Sequence, residues 1–181
     1  MGKVSLTKLE EIHLEMVRSW RNSSEVSDYM YTDRQISKKH QKEWFEKVES
    51  DQNSFYWIIK YENRPIGLAS ITNIDDTLKS CYWAFYLGDT SIRGGGIGSF
   101  VELFVINYVF NILKLNKLRC EVFTSNDKVI RMHEKFGFRR EAFYREHCLK
   151  NGEYQDVVGM AILKKDWMRL SKYYEGYGNG N

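Results

Sequence analysis

Between an aromatic strand-like stretch and a helix-like stretch, the run Arg93-Gly94-Gly95-Gly96-Ile97-Gly98 places four glycines in five consecutive positions. The stretch before it, Ser80–Leu87, is rich in Tyr, Trp and Phe, as strands often are. The stretch after it, Gly98 to Leu113, is apolar nearly all round, with a narrow polar line at Glu102, Asn107, Asn111 and Lys114, and reads as a largely buried helix. At a strand-to-helix junction the first helical N–H groups lack intrahelical partners and point forward. The macrodipole adds partial positive charge there, and glycines let a ligand approach the backbone closely. Such a junction suits a pyrophosphate. Two familiar variants are disfavoured by the spacing: Gly98 is followed by Ser99 without the lysine of a Walker loop, and position 101 is Val101 where a Rossmann fingerprint needs glycine.

The rest of the chain arranges itself around that junction. A short strand near Val4–Leu6 leads to a helix from about Leu9 to Trp20, broken at Arg21-Asn22-Ser23-Ser24. Ser37 caps a second helix, about Lys38–Val48. The strands Ser54–Tyr61 and Ile66–Ile74 flank a turn at Glu62-Asn63-Arg64 before Pro65. Downstream of the buried helix, Lys117–Phe123 is a strand, and Ser125 or Asn126 caps a helix running to about Lys135 and stopped by Gly137. Two strands, about Arg139–Leu149 and Tyr154–Leu163, flank Lys150-Asn151-Gly152. The order αα-βββ-α-β-α-ββ predicts a mixed α/β domain over residues 1–170, with residues 171–181 as a flexible tail.

At 181 residues and 43% hydrophobic content the chain suits one domain with a real core. A net charge of +3 is too mild to argue for nucleic acid, and suits a small anionic ligand. Cys81, Cys120 and Cys148 form no paired motif and read as reduced thiols. Residues 1–11 show no signal-peptide pattern, and Leu6 stands where a myristoylation site at Gly2 needs Ser or Thr. Glu102, Asn107 and Asn111 interrupt the longest apolar stretch, so no membrane span is expected. The expectation is a cytoplasmic protein. His13, His40, His133 and His147 lack ligand spacing, so no metal is expected either.

Arg-x-x-Gly-x-Gly between the fourth strand and the following helix resembles the acetyl-CoA signature of the GCN5-related N-acetyltransferases. A second feature falls at the family's distance: Asn126, then Glu134-Lys135-Phe136-Gly137-Phe138. The resemblance covers roughly residues 3–165. It implies a central, mostly antiparallel, twisted sheet of about seven strands, helices on both faces, and a V-shaped splay between strands four and five. It also implies acetyl-CoA as cofactor, its pyrophosphate held by the backbone of Arg93, Gly94, Gly95, Gly96, Ile97, Gly98 and Ser99. Phe85 and Leu87 would offer backbone hydrogen bonds to the pantetheine arm, with Asn126 and Arg131 nearby; Asn126 reads equally as a helix cap.

Within the family, the N-terminal half resembles the acetyltransferases of pseudaminic acid biosynthesis, through Trp20-Arg21-Asn22, Met30-Tyr31, Ile36-Ser37 with His40, Ser70-Ile71-Thr72-Asn73 and Tyr82 to Tyr86. The implied acceptor is the 4-amino group of a UDP-linked 4-amino-4,6-dideoxy-N-acetyl-altrosamine, a small molecule; a homodimer is also expected. Arg21, Asn22, Tyr31, His40, Thr72, Asn73 and Tyr86 become candidate acceptor contacts. Arg21 reads equally as a cation at a helix C-terminus, His40 as a surface residue, and Tyr86 as a sheet residue. One departure falls at position 133, where many members carry a tyrosine as general acid and this chain has His133. Histidine donates a proton near neutral pH, so His133 is the candidate acid; a partly buried helix histidine is the other reading. Glu121 is the candidate base through a water that Ser70 orients. Direct attack needs no covalent intermediate, and no Cys–His arrangement suggests one. Rival readings are a ribosomal-protein N-terminal acetyltransferase, a spermidine acetyltransferase, and a non-catalytic acyl-CoA-binding module.

Overall fold

The computed structural model describes residues 3–92, 94 and 96–174. Apolar and aromatic runs, with polar–apolar alternation in the first and fifth, build seven strands among the described residues: β1 Val4–Lys8, β2 Phe55–Tyr61, β3 Arg64–Asp75, β4 Ser80–Leu87, β5 Lys117–Phe123, β6 Arg139–Lys150 and β7 Glu153–Leu163. They form one sheet in the order β1-β2-β3-β4-β5-β7-β6. Every neighbouring pair is antiparallel except β4 and β5, which run parallel.

Among the described residues six α-helices flank the sheet: α1 Leu14–Asn22, α2 Ser24–Ser27, α3 Lys38–Ser50, α4 Ile97–Asn107, α5 Asp127–Lys135 and α6 Lys164–Leu170. Two separate cores show that both faces are covered. The larger joins Trp57, Ile71, Trp83, Leu118 and Cys120 of the sheet to Val101, Val105 and Ile106 of α4 and Ile130 of α5. The smaller joins Ile58 and Leu68 to Val17 of α1 and Phe45 of α3. Because strand side chains alternate between faces, Ser70, Tyr82, Ala84, Tyr86 and Glu121 belong to the α1/α3 face. Among the described residues no helix is long and apolar enough to cross a membrane.

Several expectations change in detail. The first helix begins with a 3₁₀ turn, Glu11–His13, before α1. The long helix predicted to Leu113 is α4 followed by one π turn, Tyr108–Ile112, which keeps Val109 and Phe110 both in the core. Glu102, read as part of a polar line, is fully buried. The C-terminal segment packs further than expected: α6 and a 3₁₀ turn at Ser171–Tyr173 follow β7. Tyr174 then donates to the Lys135 carbonyl at 2.7 Å and lies against Phe136 and Trp167. Residues 175–181 of the expected tail lie outside the described residues.

Two punctuation marks hold as read. Ser37 Oγ accepts from the His40 amide at 3.2 Å and caps α3. Gly137 adopts φ +93 after α5, and a Cβ there would stand 2.4 Å from Leu170 Cδ1 of α6. Gly137→Val combines a left-handed β-branched residue with that clash, so we expect about 3 kcal/mol of destabilisation. For a chain of this size that is a fall in Tm of roughly 6–12 °C, measurable by calorimetry; an unchanged Tm would contradict the left-handed conformation at this turn.

Candidate functional site

The parallel ladder between β4 and β5 is short. It contains three pairs, Ser80–Lys117, Cys81–Leu118 and Tyr82–Arg119, although both strands continue past them. On their other edges the strands stay paired, β4 with β3 through Leu87 and β5 with β7 through Phe123. The sheet is therefore split from Trp83 and Cys120 onward. Ala84 is exposed although it lies on the fourth of seven strands. In register across the opening, Ala84 and Glu121 each stand two residues beyond the last pair.

The glycine-rich loop meets α4 at the wide end of this split. Gly94 and Gly96 have φ of +90 and +77, and Gly96 is the N-cap of α4. The Ile97 amide donates to the Gly94 carbonyl at 3.3 Å and the Phe100 amide to the Gly96 carbonyl at 2.9 Å, closing a tight turn. A Cβ on Gly94 would meet nothing within 4 Å, so that side of the loop is open. Arg93 and Gly95 lie outside the described residues. Behind the loop, Gly98 faces the Met132 sulfur of α5 and the Phe85 ring of β4, while Phe85 and Leu87 lie on the freed part of β4. Asn126 is the N-cap of α5 but makes no side-chain cap hydrogen bond. Arg131 is held in an exposed pair with Asp127 at 2.7 Å. An open cleft edge with a free strand and a positive helix end fits a long ligand that carries a pyrophosphate and amide groups.

On the α4/α5 face, below the vertex of the split, lies a buried polar pair. His133 of α5 is 3% exposed and Glu102 of α4 is 0% exposed. His133 Nδ1 lies 2.8 Å from Glu102 Oε1. The imidazole sits 5.3 Å from the Trp83 ring and 5.2 Å from the Phe138 ring. Burial raises the carboxyl of Glu102 above the ordinary range, and His133 opposes that shift. Burial pushes the Cys81 thiol up to about 12 and raises that of Cys120 well above its ordinary value. Both thiols therefore stay protonated near neutral pH and make poor nucleophiles.

The opposite face carries Glu121, Ser70 and most of the residues singled out for the acceptor. Tyr31, between α2 and α3, donates its hydroxyl to Glu121 Oε2 at 2.7 Å. Burial, then the neighbouring Glu121 carboxylate, raises the Tyr31 phenol, so the hydroxyl keeps its proton as donor. The Tyr31 ring makes edge contacts with Phe123 and His147, and Tyr144 lies 5.0 Å from His147. Arg119 stands 4.4 Å over the Tyr82 ring. Ser70 is buried in β3, paired with Ala84 and one strand away from the opening.

The other candidates are dispersed. Arg21 lies near Thr32 Oγ1, and burial lowers its pKa while Tyr86 opposes the shift. The Tyr86 hydroxyl is buried without a hydrogen-bond partner among the described residues. Asn22 uses both ends of its amide on the Ile36 peptide, at 2.8 and 2.9 Å, and so fixes the loop before α3. His40 is exposed on the first turn of α3. Thr72 and Asn73 lie at a bulge toward the far end of β3, with Asn73 at φ +51.

Sequence reasoning missed four elements of this site: Glu102, the Arg119–Tyr82 stack, the Tyr144–His147 contact, and a strap over the α1/α3 face. The strap runs from the last residue of α2 to the start of α3 and is fastened to the β6–β7 hairpin. Lys150 Nζ donates to the Ser27 carbonyl at 2.8 Å, and the Asn151 amide donates to Asp33 Oδ2 at 3.2 Å. These fastenings join residues more than a hundred positions apart, so local spacing holds no trace of them.

A family model described as an acetyltransferase (GNAT) domain matches residues 3–139. The chain is 25% identical over 152 residues to acetyltransferase PseH of Campylobacter jejuni, covering 82% of this chain and 93% of that protein. It is 24% identical over 172 residues to the spermidine N(1)-acetyltransferase of Vibrio cholerae, covering 94% and 99%. The crystal structure of spermidine N-acetyltransferase from Vibrio cholerae with CoA and spermine shares the fold, with a TM-score of 0.86 at 24% identity over 91% of this chain and 98% of that one.

Proposed function

The chain belongs to the GNAT acetyltransferase family and is an acetyl-CoA-dependent N-acetyltransferase; on that premise we propose that its acceptor is the 4-amino group of a UDP-linked 4-amino-4,6-dideoxy sugar. The observation that carries the reading is the composition of the acceptor face. Tyr31 donates to Glu121; Tyr82, Arg119 and Tyr144 line one groove with that carboxylate, and His147 packs against Tyr31 and Tyr144, so aromatic rings and a guanidinium outnumber the groove's carboxylates, Glu121 and Glu141. Aromatic faces stack on sugar and base rings, and a guanidinium forks onto phosphate oxygens. A polyamine carries a cation at each nitrogen and calls for several carboxylates. Of the two carboxylates in this groove, Glu141 is paired with Lys117.

Acetyl-CoA supplies an acyl group activated as a thioester. The N-terminal amides of α4 hold its pyrophosphate, and the freed edge of β4 at Phe85 and Leu87 offers backbone partners to the pantetheine amides. On the acceptor face Glu121 receives the proton that the amine gives up, through a water oriented by Ser70. Tyr31 fixes the Glu121 carboxylate for that task. From the other face His133 offers a proton toward the departing sulfur. Donor and acceptor groups thus meet through the split from opposite faces. Direct attack of the amine on the thioester needs no acyl-cysteine, and the raised Cys81 and Cys120 thiols are poor nucleophiles for one.

The Tyr31–Glu121 pair also suits an ammonium ion, which makes spermidine the second reading. Acetyl-CoA consumption with a UDP-4-amino-4,6-dideoxy sugar, spermidine and a short peptide decides between them. We expect turnover with the nucleotide sugar, at a kcat/KM at least about tenfold above the others, which corresponds to about 1.4 kcal/mol of discrimination. Turnover confined to spermidine or peptide would overturn the acceptor assignment. Cofactor binding with no acceptor acetylated would point to a binding module.

A further inference from the structure

We propose that Glu102 is a positioning residue, which holds Nδ1 of His133 so that the other ring nitrogen, Nε2, always carries a hydrogen toward the split between β4 and β5. The inference rests on the reading of His133 as the proton donor.

The neighbours of Glu102 on α4 are Val101, Leu103, Val105 and Ile106, all buried. A carboxyl in this setting costs stability unless it is satisfied. Its Oε1 meets His133 Nδ1 at 2.8 Å, whereas Oε2 has no hydrogen-bond partner among the described residues. A helix that needed nothing but packing would place an aliphatic residue here. The imidazole packs against both Trp83 and Phe138, so its plane is set by packing as well as by the carboxyl.

In so dry a site a net-neutral pair is favoured over a charged one. A neutral pair holds two protons, either as carboxylate with imidazolium or as carboxylic acid with imidazole. In both forms one proton lies between Oε1 and Nδ1, and the second is on Nε2. Without Glu102, a neutral imidazole places its single hydrogen on either nitrogen. As the thioester C–S bond breaks and its electron pair goes to sulfur, the Nε2 proton passes to sulfur. The pair then retains one proton and a negative charge, which burial disfavours, so it recovers the missing proton from solvent. The acceptor nitrogen, for its part, loses its proton through Glu121 to solvent, and the protons balance. The titratable group that β5 presents to the pair is Cys120, whose thiol burial holds protonated, while Glu121 lies on the opposite face against Tyr31.

Nitrogen-edited NMR of the His133 side chain, recorded without cofactor, reads the proton position directly, and steady-state kinetics read its use. In the wild type we expect the Nε2 hydrogen to persist across neutral pH. In Glu102→Met it should give way to a tautomer mixture, and kcat should fall about 10- to 30-fold, a part of what a general acid contributes. The KM for acetyl-CoA should stay within about twofold. In a His133→Ala background the same change should cost almost nothing further. Glu102→Gln, which keeps the side-chain shape if the Met variant does not fold, should move the alkaline limb of kcat to lower pH, because an amide does not favour a second proton. An unchanged Nε2 hydrogen in the Met variant, an unmoved limb in the Gln variant, or an equal loss in the His133→Ala background would each overturn the inference. A His133→Ala enzyme with full kcat would instead remove the donor reading, and the NMR result would stand apart from it.

Discussion

Gly96→Val is expected to weaken acetyl-CoA binding at least ~100-fold, about 2.7 kcal/mol, while leaving most of the fold intact. Gly96 holds φ +77 as the N-cap of α4, a conformation that β-branched residues avoid. Its carbonyl accepts from the Phe100 amide at 2.9 Å, and the Gly94 carbonyl accepts from Ile97. To relieve the strain, valine must turn the peptide on either side of it. The first amides of α4 then no longer converge on one point in front of the helix, and convergence is what a pyrophosphate reads. Gly96 is exposed, so the stability loss should stay near the 1–3 kcal/mol of a local backbone outlier. Titration calorimetry with acetyl-CoA, beside a melting curve, separates the two. Unchanged affinity would mean that the loop amides do not hold the cofactor.

The largest kinetic effect should come from Glu121→Gln, with kcat reduced by ~100- to 1000-fold, the range of a general base. The change is nearly isosteric, and glutamine still accepts from the Tyr31 hydroxyl, so the 2.7 Å contact survives and the packing against Phe123 with it. What is lost is the ability to take a proton from an acceptor ammonium. The remaining rate should then follow the fraction of acceptor already deprotonated, rising about tenfold per pH unit below the amine's own pKa. Tyr31→Phe should cost far less, about fivefold, because it removes orientation and leaves the base in place. A kcat within threefold of wild type for Glu121→Gln would move the base elsewhere on this face.

Much of the frame was legible because it is encoded locally. Gly137, with Phe136 and Phe138 around it, marks the stop of α5 through a conformation that glycine adopts cheaply. Ser37 marks the start of α3 through an oxygen that the His40 amide needs. The limits of β4 and β5 follow from aromatic and alternating stretches bounded by turns. Glu102 shows where such reading ends. A polar residue on an apolar helix looks the same in sequence whether it faces water or a histidine 31 positions away. Tyr31 and Glu121 are 90 positions apart, and their contact follows from the strap's path over the sheet rather than from any spacing. The α6 helix escaped notice because Leu163, its N-cap residue, offers no side-chain cap. Its hold on the fold comes from Trp167 entering a core built by distant segments.

The short parallel ladder has a consequence for how such a protein changes over generations. Because three residue pairs join the halves of the sheet, each half keeps its own antiparallel hydrogen bonding past the ladder, even though one core packs against both. The stretch from β4 through α5 carries the cofactor edge, while the strap and the β6–β7 hairpin carry Tyr31, Tyr144 and His147 of the opposite face. Heritable variation in the strap and hairpin can therefore explore new acceptors while the donor machinery stays untouched, so that one ancestral scaffold can diversify its chemistry without first having to break it.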